Sequence, residues 1–110
     1  MNLYKSIRLM KKLTIFFLYG ILLAGPGTAL EKAAAAMKAG LFREALVHVD
    51  IAQAQDRTNA EVYRLKALLH EAIDEPNKAV QAWQSCLENT QDNALINEAK
   101  VHIQSLQGRE

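Results

Sequence analysis

From residue 30 to residue 106 the apolar positions recur every three or four places, and no stretch alternates with period two. That spacing lays apolar side chains along one face of an α-helix. Residues 42–55, FREALVHVDIAQAQ, put Phe42, Ala45, Leu46, Val49 and Ala52 on such a face. Residues 60–72, AEVYRLKALLHEA, and 77–88, NKAVQAWQSCLE, predict two more helices, and 94–106, ALINEAKVHIQSL, a further one through Leu95, Ala99, His102 and Leu106. Residues 30–39, LEKAAAAMKA, are strong helix formers closed by Gly40.

The breaks between these segments are short and polar. Asp56-Arg57-Thr58-Asn59 is a turn in which Thr58 or Asn59 caps the next helix, and Asp74-Glu75-Pro76 sets Pro76 in a first helical turn. Residues 89–93 form the last turn cluster, and 107–110 a fraying tail. Five helices joined by such short links predict an all-α fold with antiparallel neighbours.

The first residues follow other rules. Residues 1–12 carry Lys5, Arg8, Lys11 and Lys12 and no acid; residues 13–25 are apolar apart from Thr14; small residues follow at Gly27 and Ala29. This is the layout of a secretory signal peptide over residues 1–29, cut after Ala29, with Met10 as a second natural start. The rival reading is a retained anchor. Thirteen residues at ~1.5 Å each span only about 20 Å of a ~30 Å hydrocarbon core. Removing residues 1–29 takes four of the 13 basic residues and none of the 12 acids, so the net charge turns from +1 to −3. An acidic domain does not suit nucleic acid or an anionic membrane surface.

Within residues 30–106 the chain repeats itself at a spacing of 34: Gly40 aligns with Asp74, Phe42 with Pro76, Ala45 with Ala79, Val49 with Trp83, and Ala52 with Cys86. Tyr63 and Ala67 supply an aromatic and a small residue early in the helix of residues 60–72. In these features the chain resembles the tetratricopeptide repeat (TPR) family, whose helix–turn–helix unit has this length. The resemblance implies a right-handed helical-repeat array: repeat one over residues 30–59, repeat two over 60–93, and a C-terminal capping helix over 94–106. It also implies a binding module, not an enzyme, with a concave face built from the first helix of each pair. Carried onto this chain, that face comprises Ala34, Met37 and Lys38, then Glu61, Arg64, Leu68 and Glu71, then Glu98, His102 and Ser105.

No catalytic, cofactor-binding or metal-ligating set is expected. His48, His70 and His102 stand on different helices without ligand spacing, although His70 and His102 are both candidates to face one groove. The single cysteine, Cys86, sits where the repeat needs a small buried residue, and Trp83, Tyr63 and Phe42 are expected in the core. The expectation is therefore a periplasmic or secreted adaptor or assembly factor of a bacterial cell envelope, binding a protein or peptide partner. Two alternatives stand beside it. One is a homo-oligomer stacked through the Ala-rich first helix; the other is a membrane-tethered form with the apolar stretch retained.

Overall fold

A computed structural model describes residues 27–109; residues 1–26, most of the expected leader, lie outside them. Five helices follow one another: α1 (Ala29–Lys38), α2 (Phe42–Gln55), α3 (Ala60–Ala72), α4 (Pro76–Glu88) and α5 (Asn93–Gln107). No strand occurs among the described residues, so the fold is all-α. Each helix begins and ends within a residue of its predicted bounds.

Local chemistry accounts for those ends. The Thr28 hydroxyl accepts from the Glu31 amide at 3.2 Å, so Thr28 caps α1. The cut expected after Ala29 therefore falls inside the first turn of α1. Asn59 caps α3 and Asp92 caps α5, each accepting an amide two residues on at 3.0 Å. In α4, Pro76 takes the first turn, where its missing N–H costs nothing.

The exits of α1 and α3 share one geometry. At the end of α1, Leu41 N donates to Ala36 O at 2.9 Å and Gly40 N to Met37 O at 3.0 Å, with Gly40 at φ +77°. This is a Schellman motif, in which a left-handed residue lets the last carbonyls find donors. At the end of α3, Glu75 N donates to His70 O at 2.8 Å and Asp74 N to Glu71 O at 3.1 Å, with Asp74 at φ 58°. Asp74 thus performs the turn that Gly40 performs, against the steric preference of a side chain.

Each helix lies against the one before it, most extensively α3 with α4 and α1 with α2, and α1 also touches α3. The apolar faces meet in two clusters that share α3. The first joins Ala33 and Ala36 of α1 to Ala45, Val49 and Ala52 of α2 and Val62, Leu65 and Leu69 of α3. The second joins Ala67 of α3 to Ala79, Ala82, Trp83 and Cys86 of α4 and Ala99 and Leu106 of α5. Trp83 is fully buried and is the largest such side chain, set among four alanines and a cysteine. Small residues bring the helix backbones close, and one large ring fills the space they leave. Phe42 and Tyr63, expected in the core, are half-buried at its edge, and the Tyr63 hydroxyl donates to Arg57 O at 2.6 Å.

Candidate interaction surfaces

Two surfaces of α3 carry polar chemistry. The first faces α5. Arg64 reaches across with Nε–H to Glu98 Oε2 at 2.8 Å, while its Nη1 donates to Glu61 Oε1 at 2.9 Å. The guanidinium holds the Glu98 carboxyl below its ordinary range, and the Glu98 bond in turn raises the Arg64 pKa. About two turns further along α3, Glu71 accepts from two helices at once. Trp83 Nε1–H donates to Glu71 Oε2 at 2.8 Å, and His102 Nδ1 lies 2.8 Å from the same oxygen. A carboxylate oxygen only accepts, so His102 carries its hydrogen on Nδ1. The His102 ring lies over Trp83, with centroids 4.6 Å apart and planes 33° apart.

Six of the ten residues expected to line a groove are therefore gathered on one side of α3 and α5: Glu61, Arg64, Leu68, Glu71, Glu98 and His102. Most are engaged with each other. Glu71 is the acceptor that satisfies the only polar atom of a buried indole, a structural duty that sequence reasoning did not find. Leu68 is half-buried on the second cluster and lies between Arg64 and Glu71 along the helix. Of the remaining four, Ala34, Met37 and Lys38 belong to α1 and Ser105 to α5. Met37 is half-buried on the first cluster and Lys38 is exposed; among the described residues neither is hydrogen-bonded to the α3–α5 set. Ala34 and Ser105 are exposed.

The second surface lies between α2 and α4 with α3 as its floor. It holds a cavity of about 420 Å³, lined by Gln53, Lys66, His70, Lys78, Gln81 and Ser85 among others. His70 does not share a groove with His102. It is buried on this other side, with only 7% of its surface exposed, and its Nδ1 lies 3.2 Å from Glu75 Oε1. Lys78 also holds Glu75, at 3.2 Å, and these two contacts, Lys78 first, keep the Glu75 carboxyl below its ordinary range. Lys66 Nζ donates to Gln53 Oε1 at 2.8 Å and pairs with Asp50 at 3.2 Å. A signal for this surface was present in the chain: Lys66 and His70 stand one helical turn apart.

Cys86 is a free, fully buried thiol, pushed up to about 11 chiefly by burial. Among the described residues no group of three or more His, Cys, Asp and Glu side chains could hold a metal, and no helix is long and apolar enough to cross a membrane. Comparison with family models, with curated proteins and with solved structures gave no match. What the fold itself defines is an all-α protein, with five short helices among the described residues packed around a paired core.

Proposed function

We propose that this chain is an exported interaction module of the tetratricopeptide type, two helix pairs plus a capping helix, and that it binds a segment of another protein without catalysing a reaction. The observation that carries this reading is the meeting of residues 34 apart: Arg64 on α3 bonds Glu98 on α5 at that separation. Other positions related by the same spacing agree in environment. Ala45 and Ala79, Val49 and Trp83, and Ala52 and Cys86 are all buried, and Gly40 and Asp74 are both left-handed. A period of 34 residues is that of one helix–turn–helix unit, and stacked units of this kind present an extended binding face. The leader of residues 1–29 directs the protein to the periplasm or the exterior.

The binding face is the α3–α5 side, extended by α1. Its charges are only partly covered: the Arg64, Glu98 and Glu61 side chains are 32%, 30% and 51% exposed. A partner's charged group exchanges with these contacts while an apolar side chain rests on Leu68. Arg64→Met removes the charge but keeps the stem, and a part-exposed ion pair is worth only about 0.2–1 kcal/mol, so the fold survives. Leu68→Gln removes the apolar contact. The test places a photo-crosslinking residue at position 105 and identifies what it captures in the cell envelope. A partner captured from that position, and weakened about tenfold by either variant, supports the reading. A partner that binds both variants as tightly as the parent sinks it.

A further inference from the structure

The cavity between α2 and α4 is unrelated to the α3–α5 face. The side chains of Lys66 and His70 leave α3 roughly 100–160° around the helix axis from those of Arg64, Leu68 and Glu71. Its size, about 420 Å³, lies within the ~300–1,000 Å³ of ordinary ligand sites. What it can hold is decided by which of its polar groups are still unoccupied.

The charged groups are already matched. Lys66 is held by Asp50 and Gln53, and Lys78 by Glu75. Two ammonium groups are thus met by two carboxylates, and the site makes no net demand for a charged ligand. His70 is different. Glu75 engages its Nδ1, and an ionised carboxylate only accepts, so Nδ1 carries a hydrogen. In the neutral tautomer that this defines, Nε2 is an acceptor. It has no partner among the described residues, yet no buried side-chain nitrogen or oxygen is left unsatisfied there, so Nε2 is not sealed from solvent, and His70 is one of the residues that line the cavity. The α4 wall of the same cavity carries Gln81 and Ser85, whose side chains likewise make no hydrogen bond among the described residues and can donate or accept.

We propose that this cavity binds an uncharged amide: its N–H donates to His70 Nε2 while its carbonyl accepts from Gln81 or Ser85. A carboxylate has no hydrogen for Nε2, and an ammonium has no acceptor for α4; an amide carries both groups, about 2.3 Å apart, on one rigid plane. The amide has two sources, an Asn or Gln side chain or the backbone of an extended segment, and both belong to a polypeptide. This site is independent of the α3–α5 reading and stands or falls without it.

The experiment is an NMR titration of the isotope-labelled protein, following the His70 ring nitrogens. The probes are N-acetyl-asparagine amide for the side-chain source, N-acetyl-glycyl-glycine amide for the backbone source, and acetate for the charged control. A saturable shift of Nε2 with either amide, and none with acetate, is expected. It persists at high salt, because no ion pair forms. The Gln81→Ala/Ser85→Ala double variant, altered at one exposed and one half-buried position, keeps the parent's circular dichroism and loses at least fivefold in affinity. Whichever amide binds more tightly names the source. The proposal is overturned if neither amide shifts Nε2, if acetate binds as well as the amides, or if the folded double variant binds unchanged.

Discussion

Trp83 is the residue on which the second half of the fold turns. Its side chain is fully buried among Ala67, Ala79, Ala82, Cys86 and Ala99, and its indole N–H is held by Glu71. An aromatic of this kind buries about 150–250 Å², which at ~25 cal/mol/Å² corresponds to about 4–6 kcal/mol of transfer free energy. Truncating it among alanines leaves a cavity that small neighbours cannot refill, and measured Trp→Ala costs in cores run to about 3–5 kcal/mol. A domain of this size has a total stability of about 4–12 kcal/mol. Trp83→Ala should therefore lose about 3–5 kcal/mol, leaving a marginal or unfolded protein. Trp83→Phe separates the two contributions: it keeps much of the ring volume but removes the N–H. It should cost about 1–2 kcal/mol, and Glu71→Ala made in that background should cost less than in the parent. The assay is urea denaturation followed by circular dichroism at the helix band. A loss below about 1 kcal/mol for Trp83→Ala refutes the packing argument. Full additivity of Trp83→Phe with Glu71→Ala refutes the hydrogen-bond part of it.

Three further outcomes follow from the same geometry. Asp74→Gly should raise stability by about 0.5–1 kcal/mol, because about 1–2 kcal/mol of left-handed strain is relieved against about 0.4–1 kcal/mol of added chain entropy; a lower urea midpoint would count against the strain at φ 58°. Cys86 should resist a thiol reagent at pH 8 in the folded protein and react fully in urea, since its thiol is buried and raised to about 11; fast labelling of the native state would place it at the surface. Glu98 has a folded-state pKa held below its ordinary 4.5 by Arg64, so its contribution is present above that value and is lost as pH falls through the lowered one. The parent should then exceed Glu98→Gln in stability at pH 7, with the difference closing in acid; a difference constant from pH 7 to pH 3 excludes that ion pair.

Much of this molecule is legible along the chain because much of it is local. Helical periodicity, the breaks at Gly40, at residues 56–59 and at Pro76, and the small–large–small faces of α2 and α4 each depend on neighbours within about one turn of helix. The burial of Ala45, Val49 and Ala52, and of Ala79, Trp83 and Cys86, was readable for that reason. Residue 74 was legible only as a departure from glycine; its left-handed turn depends on hydrogen bonds that require α3 to end there. The polar pairings were of another kind. Whether Glu71 faces solvent or satisfies Trp83 depends on how α3 and α4 are rotated against each other, and whether it meets His102 depends on α5 as well. His70 and His102 both looked like candidates for one groove, yet the packing of α3 buries the first toward α2 and α4 and leaves the second beside Trp83. A helix face can be read from a period, but the identity of the side chain opposite it is set by interaxial rotation and distance, which only the packed core determines.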